Sequence, residues 1–201
     1  MKKIVIVFLA LLTLAAFTIG DPLKIGDVMP SSNSKMQDVS GKEISLKEAS
    51  GQNGLLVMFS CNTCPFVVKN QQRTIAICDY AKKMNMGVII LNSNEAKRGD
   101  DDSFDAMKKY YAEQKYNWYY ALDKENAIAD AFGANRTPEC FLFDKDAKLV
   151  YHGAIDDNAN DADAVTRNHL KEAINEVVDE VTPKRQHSKS HQREGHHDHG
   201  R

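Results

Sequence analysis

The sequence predicts an α/β fold: a central mixed sheet flanked by helices, with a β-hairpin extension at the N-terminal side. The first observation behind it is a pair of unbroken apolar runs, Leu55–Phe59 and Gly87–Leu91, with a helical repeat between them. A strand covered on both faces reads as a continuous apolar run, and two such strands joined by a helix form a parallel β-α-β unit. The second is a further pair of extended runs, Cys140–Phe143 and Leu149–His152, joined by the turn Asp144-Lys145-Asp146, which reads as a β-hairpin. The third is the spacing of Leu170, Ala173, Ile174, Val177, Val178 and Val181, the apolar face of a last amphipathic helix. The 201 residues are 42% hydrophobic with a formal charge of -2, so no basic excess points to nucleic acid as a partner.

Taken in order, residues 1–20 read as a secretory signal. Lys2 and Lys3 precede the uncharged run Ile4–Phe17, and Thr18 and Gly20 supply small residues for cleavage. The rival is an uncleaved anchor, but the run falls short of the roughly 20 apolar residues that span a bilayer. The expectation is an exported protein, periplasmic or secreted, with no stable membrane insertion once the signal is removed. Residues 21–183 form the domain. Its first part, from Leu23 through Val39–Leu46 with a turn at Ser40-Gly41, reads as the N-terminal hairpin.

After Leu55–Phe59 comes Cys61-Asn62-Thr63-Cys64-Pro65-Phe66, and then Val67, Thr74, Ile75, Cys78 and Ala81 at helical spacing. The cysteine pair therefore sits on a strand-to-helix junction. With Asn62 as cap and Pro65 in the first turn, Cys61 lies just outside the helix, facing unpaired N–H groups and the positive end of the dipole. That environment favours a thiolate, which makes Cys61 the candidate nucleophile. Cys64, three residues on, is placed to attack a mixed disulfide on Cys61 and is the candidate resolving thiol. Two rivals are a structural disulfide and a metal site. Closing a four-residue loop stabilises by only about 2 kcal/mol, against roughly 3 for a 15-residue loop. Zinc needs a second Cys or His pair, and Cys78 and Cys140 stand apart from any histidine. Cys78 lies about 21 Å up the helix from Cys64 at 1.5 Å per residue, too far to resolve Cys61.

Beyond Leu91, Asn92–Asp102 reads as a solvated loop at the carboxyl end of a strand, where α/β sites lie. Asp102 and Asp105 resemble a capping box for a helix running to about Gln114, with Phe104, Met107, Tyr110 and Tyr111 on its buried stripe. Glu125–Phe132 reads as a short helix stopped by Gly133, and Pro138 opens the strand that follows, where no ladder donor is needed. From residue 184 to 201 the chain carries His187, His191, His196, His197 and His199 without apolar periodicity and is expected to be disordered. A solvated tail and a weak metal-binding segment are the two readings of it.

The pieces Cys61-Asn62-Thr63-Cys64-Pro65-Phe66-Val67, Asp101-Asp102-Ser103-Phe104, Phe132-Gly133-Ala134, Arg136-Thr137-Pro138-Glu139, Phe141-Leu142-Phe143-Asp144 and Gly153-Ala154-Ile155-Asp156-Asp157-Asn158 stand in an order that resembles the thioredoxin-like superfamily. More narrowly, the chain resembles the exported redoxins related to alkyl hydroperoxide reductase and thiol-specific antioxidant proteins (AhpC/TSA), from about Leu23 to Val181. The resemblance implies a thioredoxin-like fold, no bound cofactor, and a cis-proline loop at Thr137-Pro138 that faces the cysteine pair and binds substrate. It also implies a redox-active Cys61–Cys64 disulfide that exchanges with protein or small-molecule thiols and disulfides, with an envelope electron donor. The peroxiredoxin signature P-x-x-x-T-x-x-C is absent: counting back from Cys64 meets Cys61 in place of Thr and Val57 in place of Pro. Met58 stands where thioredoxin keeps a buried acid.

Three functions follow as expectations. The leading one is a thiol-disulfide oxidoreductase working as a reductase, because Asn62 and Thr63 add no cation to the helix-end stabilisation of Cys61. The alternatives are a thiol-dependent peroxidase and a non-enzymatic metal-binding or docking module that uses the histidine tail.

Overall fold

A computed structural model describes residues 22–181. The expected signal at 1–20 and the histidine-rich segment 184–201 lie outside the described residues, as do Asp21, Thr182 and Pro183 at the ends of the domain. Among the described residues no helix is long and apolar enough to cross a membrane.

The elements are β1 (Met36–Asp38), β2 (Glu43–Ile44), α1 (Leu46–Ala49), β3 (Leu55–Ser60), α2 (Pro65–Lys83), β4 (Gly87–Asn92), α3 (Phe104–Glu113), β5 (Tyr119–Leu122), α4 (Ala127–Phe132), β6 (Glu139–Phe143), β7 (Leu149–Gly153) and α5 (His169–Val181), with short 3-10 turns at Glu95–Lys97 and Lys124–Asn126. The seven strands form one mixed sheet in the order β2-β1-β5-β4-β3-β6-β7. Strands β3, β4 and β5 run parallel, while β6, β7 and β1 join antiparallel. This is the predicted α/β class with its mixed sheet.

Strand β3 lies between β4 and β6, and both of its faces are covered, which is why its sequence is apolar throughout. Leu56 and Met58 enter a core layer with α2, α3 and α5; Leu55, Val57 and Phe59 enter the layer under α1 and α4. Burying each of these side chains stabilises by about 1.5–3 kcal/mol. The residue just before the strand is Gly54, at φ +118°, where a Cβ would sit 2.0 Å from the Phe143 carbonyl oxygen. Leu170, Ala173, Ile174 and Val177 pack α5 onto the sheet as their spacing requires.

Three expectations are corrected. The N-terminal hairpin is Met36–Asp38 with Glu43–Ile44, turning at Ser40-Gly41, whereas Leu23–Pro30 makes only a single bridge, Val28 to Lys148. Helix α3 is capped by Ser103, whose hydroxyl accepts the Ala106 N–H, and not by Asp102. Ser103 is the residue at the junction with extended φ and ψ, so its side chain reaches back to the free amides. The helix expected from Glu125 begins at Ala127, because Glu125 and Asn126 both take left-handed φ, 56° and 57°. The C-terminal stop at Gly133, φ 66°, is as expected.

Candidate active site

The cysteine pair follows directly on β3, which pairs parallel with β4 on one side and antiparallel with β6 on the other. Cys61 and Cys64 are joined by a disulfide, with Cα atoms 5.8 Å apart. Helix α2 starts at Pro65, and its N-cap is Cys64, not Asn62. The physical reason is the proline: it pushes the preceding residue out of the helical region, so Cys64 takes φ -61° and ψ 130° and the helix cannot open earlier. No side chain caps it. The free Cys64 N–H points instead at the Cys61 sulfur, 3.1 Å away.

Thr137 and Pro138 come in from the loop before β6, and the Thr137–Pro138 peptide bond is cis. The Thr137 hydroxyl oxygen lies 3.8 Å from the Cys61 Sγ. All four predicted site residues are thus brought together. The loop is held from below by Glu139, which is buried and accepts the Asn135 and Arg136 N–H groups on one oxygen and meets His152 Nε2 at 2.7 Å with the other. His152 in turn stacks on Phe141.

The two sulfurs are not equally accessible. Cys61 is fully buried, while Cys64 is partly exposed and opens onto a cavity of about 330 Å³ lined by Phe59, Ser93, Asn94, Asn126 and Arg136. A second cavity of about 350 Å³ is lined by Phe66, Asn70, Pro138, Ala154 and Ile155. Arg136 and Thr137 line both and so stand between the more polar chamber and the more apolar one. Phe66 and Val68, on the first turns of α2, stand 49% and 56% exposed.

Behind the disulfide is a buried polar network. Asn62, the residue expected as a helix cap, is buried. Its backbone N–H donates to Asp102 Oδ1 at 2.7 Å, its Nδ2 donates to the Asp101 carbonyl at 2.7 Å, and its Oδ1 accepts the Tyr120 hydroxyl at 2.6 Å. Asp102 has no exposed surface; it also accepts Asn92 Nδ2 at 2.6 Å and Asn94 Nδ2 at 2.7 Å. The segment Asn92–Asp102 is therefore not simply a solvated loop: both of its ends turn inward under the cysteines. Glu95 pairs with Arg98 and accepts the Glu125 N–H at the loop's surface. Composition alone hides this network, because Asn and Asp in a polar run read as loop. The signal that could have found it is the recurrence of Asp101-Asp102-Ser103-Phe104 among the pieces of the resemblance.

Cys78 and Cys140 are both fully buried in the core layer of α2 and α5, and Cys140 pairs in register with Met58. Burial pushes the Cys78 thiol well above its ordinary range, and the neighbouring Cys140 adds to it. Burial likewise pushes Cys140 up. Among the described residues no three His, Cys, Asp or Glu side chains group so as to hold a metal ion.

The sequence matches the family model described as Redoxin over residues 24–169. A search of the curated proteins found no match. Among solved structures, the chain is similar to an uncharacterised conserved protein of Geobacillus kaustophilus, at 28% identity and TM-score 0.72, covering 78% of this chain and 83% of that one. It is similar also to a hypothetical protein of Sinorhizobium meliloti, at 27% identity and TM-score 0.72, covering 80% and 87%. At 18% identity and TM-score 0.58, covering 78% and 99%, it shares its fold with the thioredoxin domain of a thiol-disulfide oxidoreductase of Bacteroides vulgatus. The fold is thus thioredoxin-like, and with a match spanning most of its length the chain belongs to the Redoxin family.

Proposed function

We propose that this oxidoreductase exchanges disulfides with protein or small thiol partners through Cys61 and Cys64, acts outside the cytoplasm, and works in the reducing direction. The observation that carries the reading is the Cys64 N–H at the start of α2 aimed at the Cys61 sulfur, with the Thr137 hydroxyl of the cis-proline loop 3.8 Å from the same sulfur. A thiolate formed at Cys61 keeps that N–H as a donor and faces the positive end of a 19-residue helix.

Loading begins with a thiolate of a donor dithiol attacking one sulfur of the pair. A new S–S bond forms as the Cys61–Cys64 bond breaks, and the other cysteine leaves as a thiolate. The second donor thiolate attacks the mixed disulfide, closes the donor's own disulfide and frees the second cysteine, so that two electrons and two protons pass to the pair. Discharge onto a substrate disulfide reverses the sequence: Cys61 attacks, one substrate thiol leaves, and Cys64 resolves the mixed disulfide. Thr137 borders both cavities and Pro138 the second, and together they would align the substrate backbone beside the sulfur. The requirement for an electron donor follows from the stoichiometry. Export rests on residues 1–20 and is checked by fractionation with intact mass of the recovered chain, for which a mass that retains those residues refutes cleavage.

The central experiment is turnover of a protein disulfide driven by a dithiol, with Cys61→Ser and Cys64→Ser variants compared. Loss of turnover in both supports the reading; wild-type turnover by the Cys61 variant removes Cys61 as nucleophile.

A further inference from the structure

Asp102 stands out in the molecule as a fully buried carboxylate directly behind the reacting pair whose partners are all neutral donors: the Asn62 backbone N–H, Asn92 Nδ2 and Asn94 Nδ2. We propose that Asp102 is a positioning residue of the thiol-disulfide couple, which takes the Asn62 N–H away from the Cys61 sulfur and places a fixed negative charge behind the loop, so biasing the pair toward the reducing side. The inference rests on the exchange reaction proposed above.

Its first half is a matter of donors. A thiolate beside a helix start is stabilised by the amides that can turn toward it. In the Cys61–Cys64 loop the Asn62 N–H points away, to Asp102 at 2.7 Å, and only the Cys64 N–H reaches the sulfur, at 3.1 Å. Asn62 cannot turn back, because its side chain is fixed at both ends, by the Asp101 carbonyl and the Tyr120 hydroxyl. Its second half is charge. Like charges disfavour one another most where water is excluded, and the carboxylate is shut off from solvent. The charged group that faces it is Arg98, yet this guanidinium donates to the main-chain carbonyls of Asp102 and Asn92 and shares its charge with Glu95. It therefore offsets the carboxylate only in part. Both halves act in the same sense: they make the Cys61 thiolate less favourable, and the couple correspondingly harder to keep reduced without passing its electrons on.

A purely structural Asp102 would fix the loop and leave the couple unmoved. The test compares wild type with Asp102→Asn, which keeps the shape and an acceptor for Asn62 but removes the charge, since the Asn94 amide can flip to meet the new NH₂. The readouts are the thiol-disulfide equilibrium against glutathione, followed by intact mass, and the pH midpoint of Cys61 alkylation. The expected result is a shift of at least tenfold toward the reduced protein, about 30 mV for a two-electron couple, with an alkylation midpoint moved to lower pH. A folded variant with an unchanged equilibrium and midpoint, or one shifted the opposite way, overturns the proposal. In case the variant does not fold, the wild-type protein gives a second reading: the ¹³C resonance of the Asp102 carboxyl differs between oxidised and reduced protein if charge at Cys61 and at Asp102 are coupled, and identical resonances overturn the proposal equally. Failure of the underlying exchange reading is distinguishable, since wild-type Cys61–Cys64 would then not equilibrate with glutathione at all.

Discussion

Replacing Arg73 by Met should destabilise the domain severely, and the structure gives the size of the effect. Arg73, on α2, meets both oxygens of Asp156 at 2.7 and 2.8 Å and donates to the Asn158 carbonyl at 2.7 Å. The side chains of Arg73 and Asp156 are 17% and 3% exposed, so this ion pair is nearly sealed from water. With Met at position 73, Asp156 keeps only the Asn158 N–H as a described partner. Removing one member of a buried pair costs about 3–5 kcal/mol, because the remaining charge is left without compensation. Taking about 2 kcal/mol per molar urea for the dependence of stability on denaturant, the midpoint should fall by about 1.5–2.5 M. Equilibrium urea unfolding of the oxidised protein, with the slope checked for constancy, measures it. The double variant R73M/D156L, which removes both charges, should recover most of the loss, since apolar pairs replace buried ion pairs at little cost. A loss under about 1 kcal/mol in the single variant, or no recovery in the double, refutes the reasoning. The consequence reaches the site, because Asp156 and Ala159 line the cavity beside Pro138.

Four further outcomes are expected. With a substrate disulfide, Cys64→Ser should accumulate a mixed disulfide on Cys61, seen by mass, and Cys61→Ser should not; the reverse result would assign attack to the exposed Cys64. After reduction, alkylation of the native protein near pH 8 should label two of the four cysteines, and four only in denaturant, because burial holds the Cys78 and Cys140 thiols protonated. Tyr120→Phe leaves the buried Asn62 Oδ1 without its 2.6 Å donor and should cost about 1–3 kcal/mol in urea unfolding. Hydrogen peroxide should oxidise the reduced pair no faster than free cysteine, measured by stopped flow, because Cys61 occupies the place of the peroxiredoxin threonine; a rate far above it would restore the peroxidase reading.

The sequence by itself determined the sheet and the redox motif. Leu55–Phe59 reads as a strand buried on both faces, since the run is too short for a helix and follows Gly54, and the Cys61–Cys64 spacing places two sulfurs within reach whatever surrounds them. Pro65 likewise announced the start of α2, although the rule that a residue before proline avoids the helical region, applied to Cys64, would have moved the cap from Asn62. What only the tertiary structure decided is which polar residues go inside. Asn62, the two ends Asn92 and Asp102 of one loop, and Tyr120 come from three separate segments, and no local propensity reports that their donors and acceptors complete one another. Nor could the sequence say that Cys61 would be covered while Cys64 stayed open, because accessibility at the junction is set by the Arg136–Pro138 loop, which lies more than seventy residues away along the chain and arrives beside the sulfur only when β6 pairs with β3. Hydrophobic period encodes the elements; burial of a polar group depends on partners that meet only after those elements pack.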